Sequence, residues 1–424
     1  MKNAFLSVAL PALCFSVLLP TAATAQGATR VVDDDGRASG VSCEAASPAP
    51  ASIQAAINLS GSGDTILVCP GLYAEQLKIV AKSLTIRGVT SGVLNQVLIR
   101  PAGVVANSTN AFSGAPIAAV IAVEDSSHVT LRNLTVDGVD NGLTDCNPTL
   151  VGVFFRNASG EVQATAVREV RLVPELGTCQ SGYGIFVQSA LGGASKLTIS
   201  SSTVHGYQKV GILGNETGTE LQVLDSTVTG DGATTTIAQN GIQIGFGATG
   251  TIAGNLVVNH VYTCPTFPCE TATNVLVFES DKVRVRGNTT AKAVTSIYLV
   301  RSDGSVVRNN TVSDSDVFDG IAVLGNRNHV HLNRVSNSAE FALSIEGEDN
   351  LVENNVINEA PCGIYSNGTG NSLVHNSTFN TELTTCAPFT LTFRTLSLNT
   401  RSRSSSSFGL DAAGLVPRAP APAR

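Results

Sequence analysis

The chain has 424 residues and a formal net charge of −7, and its cations form no basic patch, which argues against nucleic acid as a partner. Forty glycines, no tryptophan and a single methionine are typical of short strands separated by turns. After the first residues, no stretch is long and apolar enough to predict a membrane span.

The first 25 residues have the pattern of a secretory signal peptide. Lys2 gives a basic start, residues 4–19 are apolar, and Ala23 and Ala25 provide the small-x-small pattern of a cleavage site before Gln26. We therefore expect a secreted protein, extracellular or periplasmic.

Residues 26–50 are polar and rich in proline, and they are predicted to form an extended arm. A single domain is predicted over residues 51–390. It begins with two turns of helix over residues 52–58, with Ser52 as the N-cap. Such a helix would cover the open end of a solenoid, where Tyr73 and Glu75 are expected to hold it in place. Residues 391–424 are rich in Ser, Pro and Ala and are predicted to be a disordered tail.

Two columns of residues recur about every 22 positions through the second half of the chain. The first column consists of asparagines: Asn255, Asn288, Asn310, Asn333, Asn355 and Asn376. The second column places a small residue before an aliphatic one: Gly184-Ile185, Gly211-Ile212, Gly241-Ile242, Ser296-Ile297, Gly320-Ile321, Ala342-Leu343 and Gly363-Ile364. A repeat this short leaves no room for a crossover helix, so the pattern predicts an all-β parallel β-helix. We expect the asparagines to be structural, stacking at a turn.

The motifs IQAAI, GDTILVCPGLYAE and LTIRG, over residues 53–88, resemble the cap and first coil of the pectin-lyase-like superfamily. The later coils, such as VRNNTVSDSDVFDGIAVLGNRNHVHLNRVSNS, are similar to the repeats of that superfamily and of NosD-like proteins. The resemblance implies a right-handed parallel β-helix. The catalytic motifs of polygalacturonases, pectinesterases, alginate epimerases and calcium-dependent pectate lyases are missing.

Eight cysteines follow the predicted signal peptide, an even number that fits an oxidising compartment. Because contacts in a solenoid are confined to neighbouring coils, we expect each cysteine to pair with the next one along the chain. The predicted disulfides are Cys43–Cys69, Cys146–Cys179, Cys264–Cys269 and Cys362–Cys386.

Each coil displays a short variable segment between the two columns, and groups in register on adjacent coils lie about 4.8 Å apart. A lyase that cleaves a uronate polymer needs a base for the C5 proton and a proton donor to the leaving oxygen. Lys209 or His205 is the candidate base, and Tyr207 or His260 the candidate donor. The candidate substrate-binding residues are Gln208, Gln239, Asn240, Tyr262 and Lys292. His329 and His331 are interpreted as outward-facing strand positions.

No cofactor is predicted, although Asp314, Asp316 and Asp319 are candidate ligands for a hard cation such as Ca²⁺. Two functions stay open. The first is a lyase-like enzyme that acts on an acidic polysaccharide or cell-wall glycan. The second is a non-catalytic carbohydrate-binding or cell-envelope structural protein. In either case we expect a monomer.

Overall fold

The computed structural model describes residues 27–39, 42–45, 47–90, 96–190, 192–263 and 271–386. They form a right-handed parallel β-helix with three faces, which confirms the predicted fold class. The predicted signal peptide and the predicted tail lie outside these residues.

Face 1 is a ladder of thirteen parallel strands. It starts within the segment predicted as an arm, because β1 pairs with β2. Its strands are β1 (Thr29–Val32), β2 (Thr65–Val68), β5 (Thr85–Gly88), β9 (Val129–Arg132), β12 (Ser159–Gln163), β15 (Ser195–Ser200), β18 (Thr219–Leu224), β21 (Thr249–Ala253), β24 (Arg284–Arg286), β27 (Val306–Arg308), β30 (His329–His331), β33 (Leu351–Glu353) and β35 (Ser372–Val374).

Face 2 follows face 1 along the chain in each coil, after a sharp turn. Its strands are β3 (Gly71–Tyr73), β6 (Val97–Ile99), β10 (Thr135–Asp137), β13 (Ala166–Arg168), β16 (Thr203–His205), β19 (Thr227–Thr229), β22 (Leu256–His260), β25 (Thr289–Ala293), β28 (Thr311–Ser315), β31 (Arg334–Ser338) and the first parts of β34 (Val356–Asn367) and β36 (Ser377–Cys386).

Face 3 completes each coil, and the corner between faces 2 and 3 carries loops of very different lengths. Its strands are β4 (Leu77–Val80), β8 (Pro116–Glu124), β11 (Thr149–Arg156), β14 (Tyr183–Gln188), β17 (Val210–Asn215), β20 (Asn240–Gly245), β23 (Thr273–Phe278), β26 (Thr295–Val300), β29 (Ile321–Leu324), β32 (Phe341–Glu346) and the second parts of β34 and β36. A short strand, β7 (Ser108–Thr109), pairs antiparallel to β8.

The aliphatic residues of the second sequence column stack inside the coil. Ile212 pairs in register with Ile185 on one side and Ile242 on the other, and all three are fully buried. Burying one such side chain contributes roughly 2 kcal/mol. The glycine before each isoleucine is needed because a Cβ at Gly211 would meet the Tyr207 ring and the backbone of the next coil at less than 3 Å.

The asparagine column forms a ladder at the turn between faces 1 and 2, as predicted. Asn288 Oδ1 accepts from the backbone N–H and the side-chain amide of Asn255, at 3.0 Å each. Asn288 Nδ2 donates to the Ile252 carbonyl at 2.9 Å. The sequence interpretation missed a second ladder at the turn into face 1. In it, Asn350 Oδ1 accepts from the Asn328 N–H, and Asn371 Oδ1 accepts from both the backbone N–H and the side-chain amide of Asn350.

A short helix, α1 (Ile53–Leu59), covers the N-terminal end of the coil. Ser52 is its N-cap and accepts from the Ala55 N–H at 3.1 Å, as predicted. The Glu75 carboxylate accepts from the backbone N–H groups of Ile53 and Gln54 at 2.7 and 2.9 Å. A carboxylate is favourable there because four N–H groups at a helix start lack helical partners.

Three of the four predicted disulfides are confirmed: Cys43–Cys69, Cys146–Cys179 and Cys362–Cys386. The fourth, Cys264–Cys269, lies outside the described residues. A further turn of 3-10 helix spans Pro174–Leu176. None of the helices in the described residues has the length and apolar character needed to cross a membrane.

A charged pocket as the candidate functional site

The outer surface of face 2 carries a pocket of about 470 Å³ where three coils meet the loops of the corner. We call it the charged pocket. It is lined by Glu169, Arg171, Thr203, Val204, His205, Gly206, Thr227, Thr229, Gly230 and Asp231.

Arg171 holds two carboxylates at the rim of the charged pocket. Its Nε lies 3.3 Å from Glu169 Oε2, and its terminal nitrogens donate to both oxygens of Asp231 at 3.0 and 3.3 Å. Gln239 holds Asp231 in this orientation through two hydrogen bonds. The Gln239 amide nitrogen donates to Asp231 Oδ2 at 3.1 Å, and the Gln239 side-chain oxygen accepts from the Asp231 N–H. The arrangement is a bidentate arginine–carboxylate pair with a supported orientation.

His205 ends β16 and is exposed to solvent beside Glu169 and Arg171. Strand register places it between Arg168 on the preceding coil and Thr229 on the following one. Gly206 follows it with φ +66°, and a Cβ there would lie 2.6 Å from Glu169 Oε1. Only glycine therefore fits this close approach.

A second ion cluster borders the charged pocket on the preceding coils. Asp137 Oδ2 accepts from Arg100 at 2.7 Å and from Arg168 at 2.9 Å. Burial alone would raise the pKa of the Asp137 carboxyl, but hydrogen bonds from Arg100, the Val139 N–H and Arg168 outweigh burial and hold the pKa below its usual value.

The charges of the two clusters cancel. Arg100 and Arg168 exceed Asp137 by one positive charge, while Glu169 and Asp231 exceed Arg171 by one negative charge. His205 is the titratable group in this region that takes part in neither cluster. The charged pocket therefore presents one guanidinium paired with two carboxylates, and one imidazole that belongs to neither ion cluster.

The structure does not place the four predicted catalytic residues in one groove. Tyr207, Lys209 and His260 have no solvent-exposed surface, whereas His205 is outside. A polymer on the surface can therefore contact only His205 of the four.

Tyr207 and His260 nevertheless come together, inside the coil. His260 Nδ1 lies 2.6 Å from Asn274 Oδ1, so this nitrogen carries the proton and Nε2 accepts from the Tyr207 hydroxyl. Asn274 Nδ2 continues the chain by donating to Ser296 Oγ at 3.0 Å. Each polar group of this buried chain has a partner, which is what burial in a low-dielectric interior demands.

Burial also fixes the protonation states of this chain. Desolvation lowers the pKa of His260 to about 4, although the Asn274 hydrogen bond and the Asp231 charge oppose the shift. Desolvation raises the pKa of Tyr207 well above its ordinary value. Both side chains are neutral at neutral pH, and their contacts are those of a structural network.

Two of the predicted substrate-binding residues instead hold the corner loops. Gln208 Nε2 donates to the carbonyls of Leu176 and Cys179 at 2.8 and 2.9 Å, and Gln239 Nε2 donates to the Tyr207 carbonyl at 2.7 Å. Asn240 is buried and accepts from Thr273 Oγ1 at 3.0 Å.

The other two lie further along the corner. Tyr262 is half-buried among Ala238, Ala272 and Phe318, and Lys292 is exposed. Neither belongs to the residues that line the charged pocket.

The three predicted Ca²⁺ ligands are spread across the corner. Asp319 is fully buried, Asp316 is exposed, and Asp314 Oδ1 accepts from Asn337 at 2.7 Å. Within the described residues they are not among the groups whose ligand atoms approach one another within 4.8 Å. The Ca²⁺ site stays a prediction.

Sequence reasoning missed Asp137, Glu169, Arg171 and the other charged residues of the preceding coils. For Arg168, Glu169 and Arg171 the signal is the run AVREVRLV over residues 166–173, where charges alternate with apolar residues at the end of a strand. The second sequence column starts only at Gly184, so this run had no register to connect it to His205.

Residues 195–387, less than half of the chain, match the family model described as NosD, periplasmic copper-binding protein. No curated protein matches the sequence. Among solved structures, a GH136 lacto-N-biosidase from Eubacterium ramulus is 12% identical over 82% of this chain and 68% of its own, with a TM-score of 0.58. A Dettilon tailspike protein is 13% identical over 85% of this chain and 69% of its own, with a TM-score of 0.56. At this identity the likeness shows a shared parallel β-helix fold.

Proposed function

We propose that this protein binds a polysaccharide in the charged pocket and cleaves it there by β-elimination next to a uronate. The observation that carries the proposal is the convergence of His205, Arg171 and two carboxyl side chains in one surface depression. The fold adds support, because a lacto-N-biosidase and a tailspike are among the structures that share it. A shared fold alone does not establish a shared function.

His205 is the base in this proposal. Its imidazole removes the proton at C5, the electrons of that C–H bond form the C4–C5 double bond, and the C4–O bond breaks. The departing oxygen takes a proton from water. Arg171 stands next to His205, and its guanidinium stabilises the negative charge that develops on the uronate during proton removal.

Thr203, Thr227 and Thr229 supply the neutral part of the binding surface. Thr203 and Thr227 are in register on the adjacent strands β16 and β19, and Thr229 lies on β19 opposite His205, so these side chains repeat at the spacing of the coils. Groups spaced about 4.8 Å apart match the scale of one sugar ring. The polymer would therefore run along face 2, across the strands.

A non-catalytic glycan-binding function is the second candidate, and one specific observation favours it. Arg171 is already paired with Glu169 and Asp231, so a uronate must displace one of these carboxylates to reach it. A neutral glycan would need no such exchange.

The experiment incubates the purified protein with pectate, alginate, hyaluronan and chondroitin and follows the ultraviolet absorbance of the unsaturated uronate. Parallel affinity electrophoresis with the same polymers measures binding. We expect an absorbance rise with one polymer and its loss in His205→Ala, while binding of that polymer changes little. His128→Asn is the matched control, because His128 is an exposed histidine outside the charged pocket.

A polymer that binds without any absorbance rise or new reducing ends would replace the lyase proposal with the non-catalytic one. The absence of both binding and cleavage with all four acidic polymers would overturn the assignment to a uronate polymer.

The compartment is part of the proposal. Three disulfides are typical of proteins that fold in an oxidising environment, and the matched family is described as periplasmic. We infer a periplasmic or extracellular location, where a polysaccharide is accessible.

A further inference from the structure

Two histidines and a glutamate meet on the outer surface of face 1, away from the charged pocket. In β30 the side chains alternate, so Val330 is fully buried and His329 and His331 both face outward. Glu353 lies on the next coil, directly opposite His331 in the strand register. All three side chains are partly exposed.

The ligand atoms of this cluster are close enough to share an ion. His329 Nε2 lies 2.9 Å from Glu353 Oε1, and the two imidazole rings are stacked with their centroids 3.9 Å apart. One nitrogen of each histidine and one oxygen of Glu353 all lie within 4.8 Å of one another. Atoms bound to a single Zn²⁺ at about 2.0–2.2 Å are roughly 3 Å apart, so side-chain rotations alone would bring the three into place.

We propose that His329, His331 and Glu353 form a binding site for a divalent transition metal such as Zn²⁺. Two imidazoles and a carboxylate suit the zinc, copper and nickel ions, whereas Ca²⁺ and Mg²⁺ prefer oxygen ligands only. The strands that carry the ligands are fixed by ladder hydrogen bonds to coils on both sides, so the backbone is preorganised.

The site is open. Three protein ligands leave at least one coordination position of a tetrahedral ion facing solvent, which is typical of metal sites that bind a further ligand. Arg308 is in register with His331 on the preceding coil, so an anion bound to the metal would also meet a cation.

A simple surface ion pair is the alternative explanation for the His329–Glu353 contact. It accounts for one histidine and the glutamate, but it gives no reason for a second imidazole stacked on the first. Zinc titration separates the two explanations, because an ion pair predicts no stoichiometric metal binding.

The test uses the full chain without a polyhistidine tag, stripped with a chelator and titrated with Zn²⁺ at neutral pH by isothermal calorimetry. We expect one ion per chain and a loss of affinity of at least about tenfold in His329→Gln and in His331→Gln. Excess Ca²⁺ should not compete. His128→Gln and His375→Gln, both exposed histidines on other parts of the surface, serve as matched controls and should bind as the original chain does.

Unchanged zinc affinity in the double variant His329→Gln/His331→Gln would overturn the proposal, as would the absence of stoichiometric binding to the original chain. Zinc-edge X-ray absorption of the original chain gives a check that needs no variant. Two imidazole nitrogens and at least one oxygen are expected, and a shell of oxygens alone would contradict the site.

Discussion

The half of the coil that contains the asparagine ladder and the region around the charged pocket differ in how their turns are held. From Asn255 to Asn376 each turn between faces 1 and 2 is closed by a side-chain amide. In the preceding coils the same positions are Thr165, Ser202 and Ser226, where Ser202 Oγ accepts from the Thr165 N–H and Ser226 Oγ accepts from the Ser202 N–H.

The corner loops also differ in length, although the change does not coincide with the start of the ladder, because residues 261–272 separate β22 from β23 in the coil of Asn255. In the ladder half the connection from face 2 to face 3 shrinks to the single residue Val294 between β25 and β26, whereas residues 230–239 separate β19 from β20. The long loops bring Asp231 and Gln239 to the rim of the charged pocket. The comparison indicates that the regular turns fix the coil and that the irregular coils carry the charged pocket.

The largest expected effect comes from breaking the ladder. Asn310 Nδ2 donates to the Val285 carbonyl and to Asn333, while its Oδ1 accepts from the N–H of Asn288. Asn310→Ala leaves these buried groups without partners and should lower the free energy of unfolding by on the order of 3–5 kcal/mol. Chemical denaturation followed by circular dichroism measures it.

Two variants serve as references for this experiment. Ser226→Ala, in the pocket region, removes fewer bonds and should cost about 1–2 kcal/mol. Thr311→Ala, on the exposed side of the strand after Asn310, should stay within about 0.5 kcal/mol. Equal losses for Asn310→Ala and Ser226→Ala would contradict the difference between the two regions.

The next effect is a pH dependence that originates inside the coil at the pocket region. An unfolded His260 takes up a proton below about pH 6.5, but the folded one remains neutral until its pKa of about 4. The unfolded state therefore binds more protons in this window, so stability is full above about 6.5 and falls as the pH drops towards 4. The shift corresponds to about 3 kcal/mol.

The measurement is the free energy of unfolding across this pH window for the original chain and for His260→Gln. The variant should be less stable at neutral pH and should lose the part of the pH dependence that His260 contributes. Asp137 does not interfere, because its depressed pKa places its titration below this window. An identical pH slope in the two proteins would show that His260 is not buried in its neutral form.

Much of the fold could be predicted from the sequence because solenoid contacts are local. A period near 22 residues is enough to place Ile212 on Ile242, and the same locality made the disulfide Cys362–Cys386 predictable. The helix start at Ser52 followed from capping chemistry alone.

The candidate site was harder to predict because strand alternation fails at a turn. His205, Tyr207 and Lys209 look like one face of a strand, but the positive φ of Gly206 ends the alternation immediately after His205. His205 therefore points outward while Tyr207 enters the coil. No sequence period signals such a reversal, since it depends on the backbone conformation of a single glycine.

A small effect on stability is expected at the outer surface of the charged pocket. Arg171 is 40% exposed, and so are its partners, at 39% each, so solvent screens these ion pairs. Arg171→Ala should therefore change the free energy of unfolding by no more than about 1 kcal/mol.

The same variant should weaken binding of the preferred polysaccharide at least about tenfold, because it removes the cation of the pocket and leaves two carboxylates to repel a uronate. Lys196→Ala is the control, since Lys196 forms a surface ion pair with Glu220 at 3.0 Å, with side-chain exposures of 58% and 40%, but lies on face 1. Affinity electrophoresis measures polysaccharide binding by both variants, and thermal unfolding measures their stability. Together they test whether the ladder stabilises the coil while the charged pocket serves binding and contributes little to stability. A loss of stability in Arg171→Ala as large as that in Asn310→Ala would place Arg171 in the structural framework instead.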